Sequence, residues 1–407
     1  LRARPADANA LNLLGVVRAE QRRDAEAEEL FMRAVKSAPA LVGAYLNLGR
    51  LYLAGRKSER ALWAFERADE LSPGRAEVGF NLAALYAERR DYERALAHLA
   101  KVPRDPADAE LAALLARCHL GLAESLSQGG DLARAEENYA AALALRPDDP
   151  EVLRGAARAA RARGEYEKAL AHLVRARKLA PESASVLYDF AWTALRLNLL
   201  YDALSVLEPL HRAKPDDPGY LYALSIARLQ NGERDRARDL ITRYVALRPR
   251  DAAGHYVLGA ALYGLKQYAP ARAALERSVE LAPYPDAEYY LGLIAHEEGD
   301  PERATLWLRR ALKSDPAHAG AYATLGVILI ARKEYGAARD ALERAVKLDP
   351  GHTKAHYQLG LAYARLGQQE RARQMFALSE KLRAEQDARE TTGLRLVEPP
   401  EKPTEKP

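Results

Sequence analysis

Residues Tyr45–Pro73 read Y-L-N-L-G-R-L-Y-L-A-G-R-K-S-E-R-A-L-W-A-F-E-R-A-D-E-L-S-P, and the pattern recurs along nearly the whole chain. Its anchors are Tyr45, Leu48, Gly49, Tyr52, Ala61, Phe65 and Pro73. With Gly49 taken as position 8 of a repeat, the same slot holds Gly15, Ala83, Ala123, Ala157, Ala191, Ser225, Gly259, Gly292, Gly326 and Gly360. Every occupant is small. The spacings from Gly15 onward are 34, 34, 40, 34, 34, 34, 34, 33, 34 and 34 residues. Twelve residues after each lies an alanine: Ala27, Ala61, Ala95, Ala135, Ala169, Ala203, Ala237, Ala271, Ala304, Ala338 and Ala372. A proline closes most units, at Pro39, Pro73, Pro147, Pro181, Pro215, Pro249, Pro283, Pro316 and Pro350. A fixed period of this length marks stacked repeats.

The residue types follow from close helix packing. Position 8 on the first helix of each unit is expected to face position 20 on the second, and both must be small for the backbones to approach. A larger side chain at Ala203 or Ala237 overpacks that crossing, at a cost of roughly 1–3 kcal/mol. The proline slot stops the second helix, because proline lacks an N–H and clashes with the preceding turn. Leu14, Leu48, Leu82, Leu224, Leu258, Leu291, Leu325 and Leu359 sit one residue before position 8 and fill the seams between units. The first helix is expected to run about 14 residues and the second slightly less. Gly130, Gly164, Asn198, Gly232, Gly299 and Gly367 mark the turns in six of the eleven units and suit a left-handed helix end. At Gly299-Asp300-Pro301 an N-cap and a first-turn proline follow at once.

The aromatic, the L-G-x2-Y run, the A-x3-F run and the closing proline together resemble the tetratricopeptide repeat (TPR) family over roughly residues 5–390. The resemblance implies an all-α fold: a right-handed TPR superhelix, or α-solenoid, of about eleven helix-turn-helix repeats. In such a chain the core is distributed and stability is close to a sum of unit and nearest-neighbour terms. That overrides the expectation of two or three globular domains for 407 residues.

Composition bounds the function. With 61 basic and 57 acidic residues the net charge is +4, which argues against a chain-wide nucleic-acid footprint. Cys118 is the single cysteine, so no intramolecular disulfide forms. No run of 18 apolar residues exists to span a membrane. The Ala- and Arg-rich composition gives a bacterial impression. Pro5 lies ten residues before Gly15, as Pro39 lies before Gly49. Leu1–Pro5 therefore reads as the tail of an upstream repeat, with any signal peptide or anchor cut away. Localisation stays open between cytoplasmic and exported or periplasmic.

Taken in order, repeats one to three occupy residues 1–106 and repeats four to eleven residues 107–390. The regularity breaks between them, with Pro103 early, Pro106 following, and Ala135 40 residues after Ala95. This reads as a shortened second helix before an overlong first helix from about Ala107 to Gln128. The junction either bends the superhelix and separates two rigid blocks, or is a tolerated insertion. Pro209 is expected to kink the second helix of the sixth unit. The last helix runs on through the charged Glu380–Glu390 stretch as a cap. Residues 391–407 carry four prolines and read as a disordered or polyproline-like tail.

Catalytic motifs are missing: there is no Walker A loop, H-E-x-x-H, G-x-S-x-G or C-x-x-C. No catalytic residue, cofactor or metal is assigned. His352 and His356 stand four apart, but packing is favoured over a metal pair, since His356, like His119 and His255, takes the aromatic slot at position 4. Cys118 and His119 are adjacent and cannot face one site from a helix.

In the family the concave face is lined by first-helix positions 2, 5, 6, 9, 12 and 13. Arg154, Arg158 and Arg161 fall at positions 5, 9 and 12 of unit five, on one stripe. They suit a carboxylate-rich partner, since arginine pairs carboxylates bidentately. The competing reading is neutralisation by Glu124, Glu151 or Asp189. Position 5 then becomes Tyr188, Tyr222, Tyr256 and Tyr289, with Tyr357 later, and Trp192, Ile226 and Tyr263 fall at positions 9, 9 and 12. Leu195, Leu229, Leu293, Val327 and Ile330 lie around them. Such a groove suits a peptide with apolar anchors; the competing reading is packing, because the family favours tyrosine at position 5. Trp192 is the least expected residue and the best single candidate. The carboxylate clamp of chaperone-binding TPR proteins is disfavoured, because Asn47 and Asn81 match its Asn slot but Asn12 and Val16 stand where a basic residue and Asn are required. The asparagine ladder of glycosyltransferase TPR regions needs Asn at position 6 throughout, and two units have it.

These observations lead to a non-catalytic scaffold or adaptor that binds a protein or peptide in the concave groove. A regulatory or targeting arm of an enzyme whose catalytic domain lies elsewhere is the alternative. RNA binding predicts a basic stripe on every first helix, and unit five alone has one.

Overall fold

The computed structural model describes residues 7–103 and 108–387, and these contain 22 helices and no strand. Helices pair in sequence order into eleven hairpins. The first six are α1 (Ala8–Glu20) with α2 (Asp24–Ser37), α3 (Val42–Ala54) with α4 (Ser58–Leu71), α5 (Ala76–Glu88) with α6 (Tyr92–Leu99), α7 (Ala109–Gln128) with α8 (Leu132–Leu145), α9 (Pro150–Ala162) with α10 (Tyr166–Leu179), and α11 (Ala184–Arg196) with α12 (Leu200–Ala213). The rest are α13 (Pro218–Gln230) with α14 (Arg234–Leu247), α15 (Ala252–Gly264) with α16 (Tyr268–Leu281), α17 (Pro285–Glu297) with α18 (Pro301–Ser314), α19 (Ala319–Ala331) with α20 (Tyr335–Leu348), and α21 (Thr353–Arg365) with α22 (Gln369–Asp387). The chain falls into two compact units, Leu1–Asp189 and Phe190–Pro407, divided within α11. Each is an all-α solenoid of stacked hairpins.

The alanine series is the seam of every hairpin: all eleven are at most 2% exposed. Position 8 meets more than that alanine. A Cβ on Gly49 would lie 2.6–2.8 Å from the Phe65 ring, and Gly15 and Gly360 stand in the same relation to Phe31 and Phe376. Gly259, Gly292 and Gly326 face Leu275, Leu308 and Leu342 in turn. The small residue at position 8 therefore makes room for the large side chain at position 24, and the position-20 backbone lies beside it, as with the Ala271 carbonyl at 3.3 Å from a Cβ on Gly259.

Regular first helices have 13 residues and second helices 14, the reverse of the expected order. The reason lies at the turns. Position 15 is left-handed in all eleven hairpins, ending the first helix early. The six turn residues expected from sequence have positive φ, and so do Arg22, Arg56, Arg90, Lys266 and Lys333, with φ of 53–63°. Second helices end two residues before the proline slot, as at Leu71 before Pro73 and Leu247 before Pro249. First helices begin at a capping side chain where one is present: Asp7, Asp149, Asp217 and Asp251 each accept a bond from a first-turn N–H.

The break in period takes the expected form. α6 has 8 residues and α7 has 20, with Asp108 capping α7 at Leu111. Pro106 and the expected helix start at Ala107 lie outside the described residues, as do the whole 391–407 tail and the end of the Glu380–Glu390 stretch. Pro209 lies inside α12, which continues through it.

Successive repeats are latched by a device that the sequence reading missed. The position-11 hydroxyl of Tyr86 donates to Glu66 of the preceding second helix at 2.6 Å, and Tyr363 does the same to Glu343 at 2.6 Å. Arg94 and Arg371 each cover the tyrosine ring of their own repeat at 5.6 Å. Where position 11 is Arg228, it pairs with Glu208 at the same spacing of 20 residues. The latch is confined to steps where position 11 is tyrosine or arginine, since leucine or alanine fills that position in six repeats.

Candidate functional site

In the first unit the arginine stripe lies on α9, and a carboxylate from α11 is set into it. Asp189 Oδ2 accepts from Arg154 Nη1 at 3.4 Å, and Oδ1 accepts from Arg161 Nη1 at 3.5 Å. Arg161 also reaches the Asp189 backbone carbonyl at 3.5 Å. Arg154 donates twice to Glu151, through Nη2 at 2.6 Å and Nε at 3.0 Å. The Asp189 side chain is 11% exposed, those of Arg154 and Arg161 24% and 12%. Burial alone would lower the Arg154 guanidinium's pKa; Glu151 and Asp189 outweigh it and hold the pKa above its ordinary value. Arg158 is half-buried on the same face, and Tyr188 is half-buried beside Asp189 in sequence. Arg154 and Arg161 therefore carry carboxylates, and Glu151 and Asp189 are both among the neutralising candidates named in the sequence.

The same cluster explains Tyr139. Its phenol packs where Gly155 leaves no side chain. Burial, then Glu124, pushes its pKa up to about 12 against the opposing pull of Arg158 and Arg154.

In the second unit the aromatic row is mostly inside. Trp192 is 2% exposed, Tyr222 0%, Ile226 1% and Tyr256 1%. Their rings meet others at a tilt: Trp192 lies 6.1 Å from Tyr222 of the next repeat, which lies 5.0 Å from Tyr244 of its own hairpin. Tyr256 meets Tyr284 at 4.9 Å and Tyr290 at 5.9 Å. Tyr263 and Tyr289 are half-buried and both meet Tyr290, at 5.3 and 5.6 Å. Tyr289 also lies 4.6 Å from the His318 ring. Burial raises the phenol pKa of Tyr256, Tyr263, Tyr284, Tyr289 and Tyr290, to about 12 for Tyr263 and well above its ordinary value for Tyr256. Tyr244 and Tyr284 belong to this cluster but fall outside the groove positions; Tyr290 stands at position 6, a groove position that the sequence reading passed over. The side chains left open on the first helices come later: Tyr357 is 49% exposed, and Leu293, Val327 and Ile330 are half-buried.

The two spaced histidines are used locally. His352 Nδ1 accepts from the Ala355 N–H at 3.3 Å and caps α21, while His356 Nε2 bonds the Pro350 carbonyl at 2.9 Å. Among the described residues no group of three or more His, Cys, Asp or Glu could hold a metal ion. No described helix is long and apolar enough to cross a membrane.

The hairpin stack with buried alanine seams defines a helical-repeat solenoid. Family models described as tetratricopeptide repeat match residues 1–41, 120–184, 222–284 and 256–319 in one case, and 52–118, 160–227 and 295–346 in another. Two further TPR models match residues 326–367 and 353–386. The chain belongs to the tetratricopeptide repeat family. Among solved structures it is similar to MamA, with 22% identity over 40% of this chain and 96% of that one, at a TM-score of 0.35. Yeast Tom70 matches with 15% identity over 92% of each chain, at a TM-score of 0.46. Cut9–Hcn1 of the APC/C matches with 14% identity over 94% of this chain and 88% of that one, at a TM-score of 0.46. A search of curated proteins gave no match.

Proposed function

We propose that this chain is a non-catalytic scaffold that binds a protein or peptide segment along its first helices. TPR repeats support an interaction role in general. The observation that carries the finer reading is the row left open in repeats nine to eleven: Tyr357 at 49% exposure, with half-buried Tyr289, Leu293, Val327 and Ile330. Aromatic and aliphatic side chains held half-open on rigid helices are anchor sites for a peptide's apolar residues. In the first unit, Arg154, Arg158 and Arg161 offer a charged counterpart, with the neutral Tyr188 beside it, and a partner carboxylate would compete with Asp189 for the arginines. Trp192, Tyr222, Ile226 and Tyr256 are buried in repeats six to eight, where Tyr263 is half-buried.

The test starts from a partner captured with the full chain. Tyr357→Ala and Arg158→Glu should each weaken binding by about tenfold or more, the scale of an interface hot spot. Trp192→Ala serves as the contrast, because emptying a buried tryptophan site costs about 3–5 kcal/mol of stability. Unchanged affinity in both surface variants, with helicity intact, would end the assignment.

A further inference from the structure

Two tyrosines on the inner wall have no counterpart at the same repeat position. Tyr263 is the single tyrosine at position 12 in the eleven repeats, and Tyr290 the single tyrosine at position 6. The family's preference for tyrosine at position 5 accounts for Tyr289 and not for these two. They meet across the step from α15 to α17. Tyr263 and Tyr290 lie 5.3 Å apart with their planes at 80°, and Tyr290 and Tyr289 lie 5.6 Å apart at 70°. All three are half-buried. Rings set at nearly right angles make a corner, and a half-buried ring keeps part of its surface toward solvent.

The charge at this corner has one sign. Glu297 stands seven residues after Tyr290 on α17, on the same helix face, with Leu293 between them. It is exposed, and among the described residues no hydrogen bond or ion pair engages it. After burial, Glu297 is the main influence that lifts the Tyr263 phenol to about 12, so its carboxylate acts on that ring directly. Burial is the main cause of the rise in Tyr289 and Tyr290, and Asp286 adds to both. Asp286 already faces His318 Nε2 at 3.4 Å, which leaves Glu297 as the uncommitted carboxylate. The inner positions of α15 and α17 hold no lysine or arginine. α21 has the opposite sign: Lys354 and Arg365 hold inner positions 2 and 13, both exposed and in no ion pair among the described residues.

We propose that this corner takes a lysine or arginine side chain of the bound peptide, with the cation against the rings of Tyr263 and Tyr290 and paired with Glu297. The inference rests on the inner-wall reading of the proposed function and gives one of its subsites a chemistry. A ring face carries the negative end of the aromatic quadrupole, so a cation gains there what an aliphatic anchor cannot. The carboxylate beside the rings adds a charge-assisted hydrogen bond. An acidic side chain would meet the same rings and the same carboxylate as repulsion. The cations of α21 keep the basic residue at repeats eight and nine.

The probe is a display library of random dodecapeptides selected on the full chain. Selected peptides should share a basic residue flanked by apolar ones. Replacing that residue by norleucine, which keeps the alkyl stem and loses the charge, should weaken binding by about tenfold. Tyr263→Leu keeps an apolar side chain and removes the ring; it should cost the basic peptide about fivefold and the norleucine peptide nothing. Glu297→Gln, at an exposed position where the fold has little to lose, should do the same. Glu297→Lys should come to prefer the peptide with glutamate in place of its basic residue. Equal losses for the basic and the norleucine peptide place the cation elsewhere and overturn the inference, as do selected peptides that share no basic residue. In either case the inner-wall reading stands if Tyr357→Ala still weakens binding. Selection of no peptide, or of peptides indifferent to every one of these substitutions, ends the inner-wall reading and this inference with it.

Discussion

Replacing Arg22, Arg56, Arg90, Lys266 and Lys333 together by glycine should stabilise the chain. All five sit at repeat position 15 with φ of 53–63°, where the other six turns carry glycine or asparagine. All five are exposed, and among the described residues none takes part in an ion pair, so little is lost with the side chain. A left-handed residue with a Cβ costs roughly 1–2 kcal/mol, and glycine's larger unfolded-state entropy offsets roughly 0.5–1 kcal/mol of the relief. The net gain is about 0.5–1 kcal/mol per turn, or about 2.5–5 kcal/mol for five. Urea unfolding followed by circular dichroism reads the gain as a higher midpoint at unchanged slope. Because repeats couple mainly to their neighbours, single variants should stabilise their own end most in hydrogen exchange. Gly164→Arg, the reverse change at φ of 80°, should destabilise. A fivefold variant no more stable than its parent would show that these turns store no backbone strain.

Three other outcomes follow from the packing and the charges. Asp189→Ala strips the shared carboxylate from Arg154 and Arg161; with Glu151 still on Arg154, the loss should be about 2–3 kcal/mol, and a change too small to measure would mean the cluster is slack. Ala237→Leu places a large side chain in a fully buried seam and should cost about 1–3 kcal/mol by overpacking; a chain as stable as its parent would remove the close-crossing account. Burial holds the imidazoles of His98, His172, His211 and His352 below their ordinary pKa of 6.5. Below pH 6.5 the unfolded chain therefore binds more protons than the fold, so stability is fullest above that pH and falls as pH drops toward the lowered folded values. His352→Asn keeps a capping side chain for Ala355 without a titrating one and should flatten part of that slope. An identical pH profile would clear His352 of any role in it.

Much of this was legible from spacing alone. The alanines at position 20 place every seam and the prolines near position 32 place most second-helix ends, because a close helix crossing has no room for a larger side chain and a helix tolerates no interior proline without loss. The short α6 and long α7 were readable for the same reason. The left-handed arginines and lysines were not, since only glycine and asparagine advertise that conformation in a sequence. Nor was the partner of position 8, because Phe65 and Leu342 approach it from another helix. The candidate site divides similarly. Tyrosine at position 5 has the same letter in Tyr222, fully buried, and in Tyr357, 49% exposed.

The chain's sequence by itself determined the number of repeats, their boundaries and the residues at their crossings, all matters of local periodicity and steric size. Tertiary structure alone decided which of the lined-up side chains meet solvent and that Asp189 sits among the arginines. Exposure and ion pairing depend on what a neighbouring repeat brings to the same point, and a residue's own repeat position carries no record of that.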